Sequence, residues 1–403
     1  MTKEKQINDI LKELAKLLDV TKNEFDTITT SYKAVGNYLA EDSSPLKPFN
    51  PSIHPQGSFL LGTVVRPVSE EDDIDIDIVC ELENKPNYWT QYDLKNAIGY
   101  RLKDSDLYSK KLDEEGKRCW TLLYGDNKYH LDVLPSLVCN NYRSIVENYF
   151  SRSNSYNPQV LAMHITDKTK DDYNTERNEQ KWMITNPFGF AQWFLSSAQV
   201  AYKNERSILS EAKIDPVPHF GEDRFALQRV VQLLKRHRDI MFDGADAKPI
   251  SIIITTLATR AYNKEINIFD ALKHITTTMA SYIEDRNGVK WVVNPVNPQE
   301  NFADRWANDP KRKNNFYKWL DKIQADIDRL EKAFGTGLYN IKSILSEMFG
   351  ENVSFATYEN YSRHLSEQRA NGKMRISSTG ILGVSGVTKV EAHNFFGANE
   401  KEL

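Results

Sequence analysis

A chain of 403 residues, 40% apolar and 27% charged, can bury a sizeable core without covalent staples, and its length suits two lobes around a cleft. Its formal net charge of −4 argues against a surface built for long nucleic acid, whose phosphates must be neutralised by cations. Three scattered cysteines (Cys80, Cys119, Cys139) suit neither a disulfide framework nor a zinc knuckle, no signal-peptide core opens the chain, and the most apolar stretch, near residues 250–258, is too short for a bilayer. The expectation is a cytoplasmic protein without membrane contact.

Along residues 3–40, Ile7, Ile10, Leu11, Leu14, Leu17 and Leu18 recur at helical spacing, which predicts one long amphipathic helix. Pro45, Pro48, Pro51 and Pro55 then punctuate a linker. Strand-like runs follow over 57–66 and 74–82, on either side of an acidic turn. A helix over 91–103 and strands over 118–124 and 128–134, joined by a Gly-Asp-Asn hairpin turn, complete an α/β block. Past about residue 155 the pattern becomes helical, over 187–207, 222–242, 249–263, 268–284, 311–333 and 336–349, with little strand signal. From about residue 370, glycines among alternating apolar residues read as a strand with a mobile polar end. The expected division is a core with the N-terminal helix over 1–155, a helical lobe over 156–370, and a C-terminal strand and tail over 371–403.

The chemistry concentrates in QGSFLLGTVVRPVSEEDDIDIDIVCEL. Gln56-Gly57-Ser58 stands where a strand would begin: glycine lets the backbone approach a ligand closely, and a serine hydroxyl with nearby N–H groups can hold phosphate oxygens. A lone Gly-Ser pair carries no information. Asp73, Asp75 and Asp77 then alternate with isoleucines, so in a strand they share one face. Like charges on one strand face repel, and a merely solvated face would not need them; a hard divalent cation would. Tyr129-His130-Leu131-Asp132-Val133-Leu134-Pro135 supplies a further aspartate in a second apolar strand. By itself Asp132 is as readily a strand-end turn residue. Beside Asp75 and Asp77 it would make three carboxylates for two magnesium ions, a set suited to phosphoryl transfer.

A Gly-Ser pair, an acidic alternation after a short turn, and an apolar-Asp-apolar segment about fifty residues on resemble the polymerase-β-like nucleotidyltransferases. LQRVVQLLKRHR at 227–238, followed by KPISII at 248–253, resembles the second lobe of the bacterial CD-NTases, relatives of cyclic GMP-AMP synthase and dinucleotide cyclases; EAHNFFG at 391–397 is similar to their usual ending. The resemblance implies an α+β, bilobed fold with a mixed-sheet catalytic core and a helical second lobe. It implies Asp75, Asp77 and Asp132 as catalytic ligands of two Mg2+ or Mn2+ ions, with Asp73 outside the set; the alternation equally permits Asp73 and Asp75 as the pair. Gln56, Gly57 and Ser58 would bind nucleotide, and Lys235 and Ser251 would reach the donor triphosphate. His237, without a second ligand at metal spacing, reads as structural.

The implied activity is the joining of nucleoside triphosphates, ATP among them, into a cyclic di- or trinucleotide second messenger for anti-phage signalling, with pyrophosphate released. A regulatory or conjugating protein would engage the C-terminal tail. Two alternatives stand beside it. One is an RNA-tailing or protein- or antibiotic-modifying transferase on the same fold, separated by the mass of the product. The other is an inactive nucleotide-binding scaffold, which would release no pyrophosphate.

Overall fold

The computed structural model describes residues 3–69, 72–125, 128–151, 158–199, 220, 224–333, 338–373, 375–376, 382–383 and 387–390. Helices α1 (Lys3–Leu17) and α2 (Lys22–Leu39) lead to strand β1 (Ser52–Pro55), the short helix α3 (Gly57–Leu61), β2 (Ile74–Leu82) and α4 (Gln91–Lys103). The hairpin β3 (Trp120–Tyr124) and β4 (Tyr129–Leu137) precedes α5 (Tyr142–Ser151), β5 (Met163–Ile165) and β6 (Met183–Thr185). Next come α6 (Pro187–Gln199), α7 (Ala226–Phe242), α8 (Ser251–Ala261) and α9 (Ile268–Thr278), then the small hairpins β7 (Glu284–Arg286) with β8 (Val289–Trp291) and β9 (Val293–Asn294) with β10 (Asn297–Asn301). Helices α10 (Pro310–Ala333), α11 (Leu338–Phe349) and α12 (Glu351–Ala370) and short strands β11 (Arg375–Ile376), β12 (Leu382–Gly383) and β13 (Thr388–Lys389) follow.

The central sheet is mixed. β2 lies between antiparallel β1 and parallel β4; the far edge of β4 pairs first with β3 and, further along, with β5, which β6 extends. Strand periodicity sorts the side chains onto two cores. Ile74, Ile76 and Ile78, with Leu131 and Val133, pack under α2 and α4. From the opposite face Val79 and Leu134 enter the core built by the helical part of the chain. Each isoleucine buried this way contributes about 1.5–3 kcal/mol, which ties the register of β2 to its alternation: a one-residue slip would bury the aspartates.

Four expectations need correction. Residues 3–40 are two helices, not one; Thr21 caps α2, its hydroxyl accepting from Glu24 N–H while the Glu24 carboxylate accepts from Thr21 N–H. α1 packs on α7, α9 and α12 rather than on the sheet. Residues 57–66 form no strand: α3 ends at Gly62 in the left-handed region (φ 63°), and the following carbonyls are taken by side chains of α7. The region beyond 156 holds the hairpins β7–β8 and β9–β10, whose short polar strands give little periodic signal, and α12 was not anticipated. The helices expected over 187–207 and 222–242 are present as α6 and α7, with 200–219 and 221–223 outside the described residues, as are EAHNFFG and the chain's polar end. Among the described residues no helix is long and apolar enough to cross a membrane.

Candidate active site

Parallel pairing of β2 and β4 sets Asp77 opposite Asp132 and Asp75 opposite His130. Neighbours in register point to the same side of a sheet, so these four side chains share the face turned toward the helical part. Ligand atoms of Asp75, His130 and Asp132 all lie within 4.8 Å of one another. His130 bridges the acidic strand, Nδ1 to Asp73 Oδ2 at 2.5 Å and Nε2 to Asp75 Oδ1 at 3.1 Å. Asp132 Oδ1 accepts from the Thr121 hydroxyl at 2.5 Å.

The electrostatics follow from the crowding. Burial first, then the charges of Asp75 and Asp132, push Asp77 up to about 7. Burial likewise raises Asp132. Hydrogen bonding to Asp75 is the largest influence on His130, which is raised to about 9. Carboxylates held this close, with hard oxygen donors and one imidazole, fit a hard divalent cation.

Gly57 is required by the same crowding. Its φ is +56°, and a β-carbon there would collide with Asp77 Oδ2. Gln56 N–H donates to Asp77 O at 2.8 Å, which anchors the start of α3 beside the acidic strand.

Across the cleft α7 and Arg224, just before it, grip residues 61–67 as a strap. Gln228 donates to Leu61 O (2.8 Å), Arg224 to Gly62 O (2.5 Å), Lys235 to Thr63 O (3.1 Å), Gln232 to Val64 O (2.9 Å) and Arg236 to Arg66 O (2.8 Å). The KRHR run is therefore buried rather than a solvated basic face. Burial brings Lys235 down to about 8. Ser251 opens α8, and its hydroxyl accepts from Arg238 Nη1 at 2.9 Å. His237 is structural as expected, bonded through Nε2 to Asp326 at 3.1 Å.

Gln56, Gly57, Ser58, Asp75, Asp77, Lys235 and Ser251 line one cavity of about 990 Å³; Asp132, in register beside Asp77, is not part of its lining. Sequence reasoning missed His130 and Arg238. The first had only a place two residues before Asp132 to mark it, and the second a position three residues after Lys235 on one helix face.

Comparison with known proteins gives the arrangement a family. A model described as the Second Messenger Oligonucleotide or Dinucleotide Synthetase domain matches residues 1–157. A c-di-GMP synthase of Roseivirga ehrenbergii is 27% identical over 403 residues, with 97% of each chain covered. The CD-NTase CdnG of Bradyrhizobium diazoefficiens, solved in complex with GTP, superposes with a TM-score of 0.65 at 20% identity, over 89% of this chain and 99% of that one. The fold is that of a bacterial CD-NTase. The fold is also that of Vibrio cholerae DncV, a cyclic AMP-GMP synthase, with a TM-score of 0.53 at 16% identity over 87% of each chain. The fold is α+β, and the matched synthetase domain spans the strands that carry Asp75, Asp77 and Asp132.

Proposed function

We propose that this protein is a CD-NTase that joins nucleoside triphosphates, GTP among them, into a cyclic dinucleotide, with Asp75, Asp77 and Asp132 as its catalytic carboxylates. One observation carries the reading: Asp75 and Asp77 line a cavity that Lys235 and Arg238 also line, and Asp132 lies in register beside Asp77 on the next strand. The guanine preference draws support from the c-di-GMP relative.

In this reading the donor triphosphate lies between Gly57-Ser58 and α7–α8. Lys235 supplies a compact ammonium to phosphate oxygens, Arg238 holds the Ser251 hydroxyl in place, and Ser251 adds the free N–H groups of a helix start. Gly57 leaves room for the phosphates beside Asp77. Two divalent ions, held by Asp75, Asp77 and Asp132, would neutralise charge on the transferring phosphorus and its pyrophosphate and make the attacking hydroxyl more acidic. Asp132 takes the hydroxyl proton. Strap and strand keep these groups at fixed separations, so positioning supplies much of the rate. A second displacement, after the linear product turns round, closes the ring.

The same reading assigns residues 1–155, whose sheet β5 and β6 extend, to the catalytic core, and the helices within 156–370 to the lobe that completes the cleft. Residues 371–403 engage a regulatory or conjugating protein, and the enzyme works in the cytoplasm, in anti-phage signalling.

The test incubates the purified protein with all four triphosphates and magnesium or manganese, removes monophosphates enzymatically, and weighs the resistant product. A cyclic dinucleotide containing guanine is expected, and about 10²–10³-fold less with Asp77→Asn. A linear or RNA-linked product, or unchanged synthesis by Asp77→Asn, sinks the assignment.

A further inference from the structure

The cavity has an end that phosphate chemistry does not explain. Besides Ser251 its wall takes in Thr255 of α8, Phe190 of α6, Asn294 and Glu300 of the β9–β10 hairpin, and Phe302 just after it. Asn294 is buried, and its Nδ2 donates to Glu300 Oε2 at 2.7 Å. Its Oδ1 accepts from Val296 N–H at 3.0 Å, so the amide cannot flip without loss. Asn301 pins the hairpin from inside, accepting from Val292 N–H (2.9 Å) and donating to Lys290 O (3.0 Å), and Arg260 of α8 holds Val293 O at 3.0 Å. Phe302 stands edge-on to Phe190, ring centroids 6.2 Å apart.

Glu300 is thus a half-buried carboxylate on a rigid support, in ion pair with no described residue, in the same cavity as Lys235 and Arg238. A fixed negative charge repels a triphosphate, so that end of the cavity suits a donor-rich group. Among the four bases only guanine offers two adjacent donors, N1–H and N2–H, on its Watson–Crick edge. Adenine puts an acceptor at N1, cytosine offers one amine beside an acceptor, and uracil one N–H between two carbonyls. Two carboxylate oxygens match the guanine pair and no other. An aromatic face next to the carboxylate is what a stacked base needs.

We propose that Glu300, held in place by Asn294, reads the guanine edge of a bound GTP, with Phe302 against the base. Glu300 is a specificity-determining residue, separate from the aspartates that carry the reaction. The inference rests on the synthase reading above, and its test separates the two.

Binding of the α,β-methylene analogues of GTP, ITP and ATP, which cannot release pyrophosphate, is measured by calorimetry in magnesium. ITP differs from GTP only in lacking the N2 amine. Wild-type protein is expected to bind the GTP analogue about tenfold or more tighter than either other, the range of a good bidentate contact. Glu300→Gln closes the gap by weakening the GTP analogue alone. Asn294→Ala, should Glu300→Gln not fold, narrows the GTP-to-ITP ratio while leaving the ATP analogue unchanged. Equal wild-type affinity for the GTP and ITP analogues, no binding of the GTP analogue, or full selectivity retained in Glu300→Gln overturns the proposal. The product assay runs in parallel: guanine selectivity without any cyclic product would remove the synthase reading and keep Glu300, and product with GTP and ITP used alike would do the reverse.

Discussion

At Asp77 burial and like charge act together, and both favour the protonated acid. Its folded value of about 7 lies above the ordinary 3.8, so the folded protein binds the extra proton; stability from this group is full below about pH 4 and is lost as pH rises through 7. His130, raised from 6.5 to about 9, has the same sign in a higher window. Metal-free protein is therefore expected to melt progressively lower from pH 5 to pH 9. Asp77→Asn should melt higher than wild type at pH 8 in EDTA, with the difference vanishing toward pH 4, while synthesis falls by about 10²–10³; calorimetric scans and product assays check the two halves. If Asp77→Asn melts lower at pH 8, like-charge strain is not what this residue carries. Gly57→Ala combines a positive φ with a collision against Asp77, so a stability loss of about 1–2 kcal/mol should accompany a much larger loss of activity. Denaturant unfolding and initial rates measured on one preparation would read both.

At the scale of elements, the feature that joins the two parts of the chain is the strap over residues 61–67. Its carbonyls have no strand partner, and α7 supplies the donors. Asp19, just past α1, organises this helix: it accepts from Arg224 Nε (2.9 Å), Arg229 Nη1 (2.7 Å) and Gln232 Nε2 (2.7 Å). Asp19→Ala strips the shared acceptor from two guanidinium groups sheltered from water, and a loss of about 3 kcal/mol is expected. Because the strap also carries the Thr63 carbonyl that holds Lys235, KM for nucleotide should rise together with the loss of stability. A full loss of stability with KM unchanged would mean that the strap does not position the site.

At the scale of the whole molecule, a cavity of about 990 Å³ between sheet and helices is at the top of the range of roughly 300–1,000 Å³ usual for one bound small molecule. It has room for a donor and an acceptor nucleotide. Nucleotide with magnesium, bound across both walls, should stabilise the fold by about 2.7 kcal/mol at a hundredfold excess over Kd. Thermal shifts should show this for wild type and lose the magnesium-dependent part in Asp132→Asn. A second network ties α7 to α10: Asp326 takes His237, Lys322 and Arg329 at 2.6–3.1 Å. Burial pushes Asp326 up, but the hydrogen bonds and charges around it win and hold it near 2. Its contribution is present above the unfolded value of 3.8 and is lost as pH falls through 2; His237, kept neutral by burial, loses stability as pH falls below 6.5. Asp326→Asn should therefore flatten the acid limb of the melting profile.

Local pattern alone determined that residues 74–82 and 128–134 are strands and that Asp75 and Asp77 share a face, while the α+β class came with the family resemblance. Alternation and helical period are properties of consecutive residues, and burial follows them. Only tertiary structure decided that β2 and β4 lie parallel with Asp77 opposite Asp132, because register is chosen by the sum of contacts between segments more than fifty residues apart. The strap at 61–67 was hidden for the same reason: its valines look like a strand until α7 arrives to claim the carbonyls. His130, the buried KRHR run and the Asn294–Glu300 pair were equally invisible, since whether a polar side chain is solvated, paired or aimed into a cavity depends on which distant backbone comes to meet it.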